Sequence, residues 1–265
     1  MQTLNFEVTN GIGWIRLTRA QKRNPMDAEL REDLMAVLAQ VRADPAIRVL
    51  LLAGSSGAFC AGGNLQFIRD QLDAGPAFWQ QRLQDSLRLI QDLLRLTRPL
   101  IAVVDGPAVG AGFSLALTAD IVIASPQARF AMSHLKLGLV PDLGPLYTLP
   151  RIVGLQRAKE LIFSAREIDA VEGQALGIVM EVQPSDRLEA RAQQIAESLA
   201  QASPTALALT KAALNISLDS DQAGMFALEA ASQAAAFAAG EPRLAIKAMF
   251  ARQPPAYRGF PAASD

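Results

Sequence analysis

Three features of the 265-residue chain combine residue types and spacings that can do chemistry. The first is Gly110-Ala111-Gly112, a turn with almost no side chains. It follows the apolar, β-branched run Leu100 to Val104 and the breaker Asp105-Gly106-Pro107, and it leads into Phe113-Ser114-Leu115-Ala116-Leu117, a good helix start. Small residues at a helix N-terminus leave backbone N–H groups bare, and their partial positive charge suits an anion or a developing oxyanion. A tight turn that uses glycine only for close packing has the same sequence, and the stretch alone does not separate the two. The second feature is His134, the one histidine of the chain. Imidazole titrates near neutrality and can serve there as a base. The third is Asp142, eight residues further on in Gly138-Leu139-Val140-Pro141-Asp142. Apolar neighbours such as Leu139, Val140 and Leu143 desolvate a carboxylate and strengthen it as a base, whereas the bland reading is a turn residue after Pro141. Cys60 has no base near it in sequence and reads as a small buried residue, not a nucleophile.

The elements that must position these residues follow an α/β grammar. Leu4, Phe6 and Val8 alternate up to Asn10-Gly11, and Ile12 to Leu17 continue, which predicts a hairpin. Asp27 caps a helix with Leu30, Leu34, Val37, Leu38 and Val41 on one stripe. Twice a helix, a buried strand (48–53, then 100–104) and a small-residue loop follow each other, the first loop being residues 54–64. Strands alternating with helices argue for parallel pairing. Helices are expected at 65–72 and 76–97, with Phe78, Leu83, Leu87, Ile90, Leu93 and Leu94 on the apolar side of the second. Short strands are expected at 130–132 and 178–182, and from 186 four consecutive helices. The helix at 221–239 is apolar nearly all round and needs cover, either inside an oligomer or under the core.

Bulk composition excludes several classes of function. A net charge of −1 offers no field for nucleic acid or an anionic membrane. One cysteine precludes an intramolecular disulfide and fits a reducing, cytoplasmic compartment. One histidine and one cysteine leave too few nitrogen and sulfur ligands for a zinc site, and no acidic cluster suggests another metal. No signal-like segment or membrane-length apolar run is visible.

Several motifs stand in order: Phe59-Cys60-Ala61-Gly62-Gly63-Asn64, Pro99 to Gly112, Ala119-Asp120-Ile121-Val122-Ile123-Ala124, Leu137 to Asp142, and Leu149-Pro150-Arg151-Ile152-Val153-Gly154. On these the chain resembles the crotonase (enoyl-CoA hydratase/isomerase) superfamily from residue 1 to about residue 255. The resemblance implies an α/β fold, a crotonase-like spiral of ββα units with an all-helical C-terminal region. It divides the chain into a core at 1–195 and a helical region at 196–265 that serves oligomerisation and pocket cover, in a homotrimer or a dimer of trimers. It also implies an acyl-CoA thioester as substrate, with coenzyme A part of that substrate and no separate cofactor. The thioester oxygen would sit between the N–H groups of Gly63 and Ala111. Ala61, Asn64, Gly110 and Ser114 would flank it, and Lys22, Arg23 and Asn24 match a segment that contacts CoA phosphates and pantetheine. Phe67, with Trp79 and Leu83, would line the acyl pocket or simply pack the helices. Arg252 and Arg258 would reach a phosphate on a neighbouring subunit.

The chain departs from the family's hydratases at the two glutamates they use, where it has Ser114 and His134. Adding water across a double bond needs a base for water and an acid for the α-carbon. In its Val140-Pro141-Asp142 segment the chain is most similar to the enoyl-CoA isomerases, in which one acidic residue shuttles a proton. The favoured expectation is therefore a double-bond isomerase with Asp142 as acid/base. The alternatives are a hydratase or acyl-CoA hydrolase run by His134 with Asp142, and a member that binds acyl-CoA without catalysis. Nucleophilic attack by Asp142, as in related dehalogenases, would want an aromatic surround for an aryl substrate, and none is evident in the sequence. An RNA-binding role, to which one branch of the family is similar, would want a basic helix, but Arg31 is outweighed by Glu29, Glu32 and Asp33.

Overall fold

The computed structural model describes residues 1–262. Its strands are β1 (Leu4–Thr9), β2 (Ile12–Leu17), β3 (Val49–Ala53), β4 (Leu100–Val104), β5 (Pro107–Val109), β6 (Ile121–Ala124), β7 (Arg129–Ala131), β8 (Glu167–Asp169) and β9 (Glu181–Val182). The helices before the second sheet closes are α1 (Ala28–Ala43), α2 (Leu65–Asp70), α3 (Pro76–Leu94), α4 (Ala111–Ala116), α5 (Pro145–Val153) and α6 (Leu155–Ser164). After it come α7 (Ala170–Ala175), α8 (Ser185–Ala200), α9 (Pro204–Ile216), α10 (Gln222–Ala238) and α11 (Glu241–Phe250). Asn10 and Gly11 both take positive φ, as a tight hairpin turn requires, and β1 pairs antiparallel with β2. The remaining neighbours of the main sheet, in the order β1-β2-β3-β4-β6-β9, are parallel.

The stripe Leu30, Leu34, Val37, Leu38 and Val41 buries α1 against one face of this sheet. The opposite face carries Ile12, Val49, Leu51, Ile101 and Ile123, and α8 covers it through Leu188, Ala192, Ile195, Ala196 and Leu199. The strands are apolar on both sides because both faces are covered.

Two strands escape a reading by pattern, β5 and β8. Asp105-Gly106-Pro107 reads as a breaker, yet Pro107 opens a strand, a position where its missing N–H costs no ladder bond. With β7 and β8 it forms a small second sheet, β5 and β7 being parallel in the register Pro107↔Arg129, Ala108↔Phe130, Val109↔Ala131. The N-terminal half of α3 also differs from expectation. Leu89, Ile90 and Leu93 are buried, but Phe78 and Leu87 remain exposed. The expected strand at 178–182 shortens to two residues.

Helix α10 has no buried residue, so it does not lie under the core. Phe226 and Phe237 are exposed on it, and a groove of about 640 Å³ between α9 and α10 is lined by Leu209, Met225 and Phe226 among others. No helix among the described residues is long and apolar enough to cross a membrane, and none of their acidic, histidine and cysteine side chains form a cluster able to hold a metal.

The start of α1 is fixed by Asp27. Its side chain accepts from Leu30 N and pairs with Arg19 at 2.7 and 2.9 Å. Burial pushes this carboxyl up, but the Arg19 and Leu30 hydrogen bonds outweigh it and hold the group below the ordinary range. Stability from a lowered carboxyl is fully present above the unfolded-state pKa, about 4, and is lost as pH falls through the folded value below it. Asp27→Ala should therefore cost about 1–2 kcal/mol near neutrality. The gap in melting temperature from the unmodified protein should close in strong acid, as calorimetry across pH would record.

Candidate active site

The small second sheet builds the site. Gly110 follows β5 and Ser133-His134 follow β7, so the parallel register of these strands brings the glycine turn beside the histidine. The N–H of Gly110 donates to Ala131 O at 2.8 Å, locking the two strand ends together. Gly110 has φ +54° and ψ −121°. A methyl group placed on it would lie 3.5 Å from both His134 Cε1 and Ser133 Oγ. The backbone reversal and the room left for the imidazole together select glycine.

The first small-residue loop is laced to the same turn. Cys60 N donates to Pro107 O and Val109 N to Cys60 O, each at 3.0 Å. Met26 N donates to Gly62 O at 2.8 Å and Ala61 N to Arg23 O at 2.9 Å. A methyl on Gly62 would lie 2.8 Å from Val109 O and 3.7 Å from Ala111 N, and one on Gly112 only 1.9 Å from Cys60 O. The two loops therefore meet backbone to backbone. Among the described residues, the N–H groups of Ala61, Val109, Gly110 and Ser114 donate to loop or turn carbonyls, whereas those of Gly63 and Ala111 do not. Two free donors in adjacent, nearly side-chain-free turns are what a thioester oxygen requires. Cys60 is wholly buried between them, and desolvation pushes its thiol up to about 11, so it stays a neutral thiol.

His134 and Asp142 stand across from this pair of turns. His134 lies in a 3-10 turn, Ser133–Leu137, and is buried. Its Nε2 is 3.1 Å from Asp142 Oδ1, while its Nδ1 is buried with no hydrogen-bond partner. An orphaned buried N–H costs more than an unpaired acceptor, so the favoured tautomer carries the proton on Nε2 and donates it to Asp142. Asp142 Oδ2 accepts from no protein group among the described residues, and the side chain is 35% exposed. It is a fixed, accessible carboxylate with one free oxygen.

Two of the residues expected to touch substrate are committed elsewhere. Ser114 is wholly buried, and its Oγ donates to Asp142 O at 2.8 Å, with Gly110 O at 3.3 Å. Every residue of the short helix α4 is buried, so a side chain on it has no route to the pocket. Asn24 is 1% exposed, and its amide donates to Ala58 O and Phe59 O, bracing the first loop from behind. Asn64 caps α2 by accepting from Phe67 N. Lys22 and Arg23 are exposed beside that loop, and Arg252 and Arg258 are exposed in the tail. Phe67 is partly buried, with its ring 6.5 Å from Phe78, which in turn meets Trp79 edge-on at 5.3 Å. This aromatic group is not evident in the sequence, because Phe67 and Phe78 lie on different helices. The residue that the sequence reading misses is Arg82, which lies over Phe67. One turn after Phe78 on α3, it reads as an ordinary solvated position.

The comparisons with known proteins agree with this geometry. The family model for enoyl-CoA hydratase/isomerase matches residues 7–259. The 1,2-epoxyphenylacetyl-CoA isomerase of Escherichia coli (strain K12) is 34% identical over 263 residues, covering 98% of this chain and 99% of that protein. The crystal structure of an enoyl-CoA hydratase/isomerase from Cupriavidus metallidurans CH34 superimposes with a TM-score of 0.97 at 66% identity, covering 100% of this chain and 99% of that one. An enoyl-CoA hydratase from Bacillus anthracis gives a TM-score of 0.89 at 29% identity, over 97% and 100% of the two chains. With an α/β spiral, two apposed glycine turns and a match over nearly its whole length, the chain belongs to the enoyl-CoA hydratase/isomerase family.

Proposed function

We propose that the protein is an enoyl-CoA double-bond isomerase with Asp142 as its single acid/base. The observation that carries this reading is the environment of Asp142. It is a partly exposed carboxylate beside the glycine turn, oriented by His134 at 3.1 Å, while the two hydratase glutamate positions hold Ser114 and His134. In the proposed reaction, Asp142 removes a proton from C2 of a 3-enoyl-CoA. The electron pair moves onto the thioester oxygen, and the N–H groups of Gly63 and Ala111 hold the resulting dienolate. The protonated acid then returns the proton at C4, and the double bond ends between C2 and C3. No water enters, so one carboxylate suffices. That the relative from Escherichia coli is described as a CoA-thioester isomerase supports the choice.

The test offers purified protein a 3-enoyl-CoA and a 2-enoyl-CoA and follows isomer and 3-hydroxyacyl product separately. Isomer without hydroxyacyl product supports the reading, and hydration alone overturns it. The contact between His134 and Asp142 supports a second reading, in which the pair activates water for hydration or thioester hydrolysis. Release of free CoA would identify the hydrolase. Binding of acyl-CoA without turnover of any thioester would mark a non-catalytic member.

Ser114 is in this scheme a positioning residue that ties the Asp142 backbone to α4. Ser114→Ala should lower kcat by about tenfold with little change in KM, since roughly 1 kcal/mol of hydrogen bonding is lost at a buried site. Steady-state kinetics on the 3-enoyl-CoA would check both parameters. The uncovered apolar helix α10 supports assembly into a homotrimer or a dimer of trimers, with the exposed Phe226 and Phe237 at subunit contacts. Light scattering is expected to give a mass of three or six chains.

A further inference from the structure

Arg82 on α3 holds its guanidinium carbon 4.2 Å from the centroid of the Phe67 ring on α2. The side chain is partly buried, and its guanidinium has no hydrogen-bond or ion-pair partner among the described residues, while Ser86 Oγ donates to its carbonyl. The charges that act on it are Arg31 on α1, Asp27 and Asp142. Neither carboxylate is free to neutralise it. Asp27 is held by Arg19 and by Leu30 N, and Asp142 Oδ1 is taken by His134. Arg31 is also weakly served, since its carboxylate neighbour is the mostly exposed Glu32 at 3.6 Å. Two guanidinium groups from packed helices thus act on one partly buried space with no acid committed between them. A desolvated cation is costly unless an anion pairs with it. The planar fork of arginine matches a carboxylate in two-point contact.

The position of this charge restricts what the anion is. Phe67 lies four residues beyond Gly63, in the first turn of α2, and Asp142 acts on Arg82 from the other side. The cation therefore stands past the reacting carbons, towards the acyl end. We propose that Arg82 forms an acyl-end subsite for a carboxylate, so that the preferred substrate is the mono-CoA thioester of an unsaturated dicarboxylic acid. Its chain runs over Phe67 and its free carboxylate meets the Arg82 guanidinium. The inference rests on the acyl-CoA reading above and adds the substrate class to it.

Calorimetric binding tests it without requiring turnover. Adipoyl-CoA and hexanoyl-CoA have the same chain length and differ only in ending on a carboxylate or a methyl group. The unmodified protein should bind adipoyl-CoA about tenfold or more tightly than hexanoyl-CoA, the scale of one charge-assisted contact. Arg82→Met keeps an apolar stem over Phe67 and should bring that ratio close to one, with Arg82→Lys restoring part of it. No preference in the unmodified protein, or a ratio that Arg82→Met leaves unchanged, overturns the proposal. Dephospho-CoA thioesters separate the other source of negative charge. If Arg82→Met instead abolishes discrimination between CoA and dephospho-CoA, the anion is the CoA phosphate and the acyl-end subsite is wrong. If neither thioester binds, the acyl-CoA reading itself fails. If both bind but are never isomerised as 3-enoyl analogues, only the proposed reaction fails.

Discussion

Asp142→Asn is expected to cut isomerisation of a 3-enoyl-CoA by about 10²–10⁴-fold, the usual contribution of a positioned acid/base. Thioester affinity should change little, because asparagine has nearly the same shape. It can still accept from His134 Nε2 through its own oxygen, so the loop geometry built on the 3.1 Å contact and on Ser114 is kept. What it loses is the ability to take a proton at C2 and return it at C4. The measurement is kcat and KM on the 3-enoyl-CoA, with the affinity for a saturated acyl-CoA as a check on binding. Full activity in Asp142→Asn sinks the proposed mechanism. If His134→Ala abolishes turnover while Asp142→Asn spares it, the histidine is the base and the second reading takes its place. A positioning role for His134 predicts a smaller loss in His134→Ala than in Asp142→Asn, because the carboxylate remains and only its orientation relaxes.

Gly112→Ala should be the most damaging conservative change in the chain. The added methyl would meet Cys60 O at 1.9 Å, Cys60 C at 2.6 Å and Cys60 Cβ at 2.9 Å. Two of these are backbone atoms held by the Cys60–Ala108 bridge, so they cannot swing aside as the end of a side chain would. Relief requires the first loop and α4 to move apart, which costs about 3 kcal/mol or more. The same movement separates Gly63 from Ala111, and loss of one oxyanion donor lowers kcat by about 10²–10³-fold. Gly63→Ala is the matched control. Its methyl meets only Ile68 Cδ1 at 3.5 Å, an ordinary contact, and it should melt like the unmodified protein. Thermal unfolding and acyl-CoA binding of the two variants separate a packing requirement from an open site. A Gly112→Ala protein that melts and turns over normally would mean that the two turns are not held together as described.

Much of the scaffold is legible in the chain because local periodicity governs it. The Asp27 cap and the Leu30–Val41 stripe place α1 and the face it buries. The apolar runs at 49–53 and 100–104 are parallel strands with both faces covered, which is why they show no alternation. Strands β5 and β8 are harder to see. Each has three residues, too few for a period, and β5 begins at a proline. The loss of the two glutamates is equally plain in the sequence, since it is a matter of which residue stands at a motif position.

The sequence by itself therefore determined the family resemblance, the alternating α/β scaffold and the identity of the candidate reactive groups, His134 and Asp142. Tertiary structure alone decided what each polar residue is free to do. Ser114 and Asn24 look like pocket residues in a motif, but the buried α4 and the first loop consume their hydrogen bonds. Arg82 looks like a solvated charge, but the meeting of α1, α2 and α3 leaves it partly buried and unpaired over Phe67. The reason is that hydrogen-bond partners, burial and charge compensation are set by residues far apart in the chain. Arg31 and Arg82 come from different helices, and Cys60 and Gly112 from different loops. Local periodicity carries no record of such pairs, so only the folded chain brings their charges and backbones face to face.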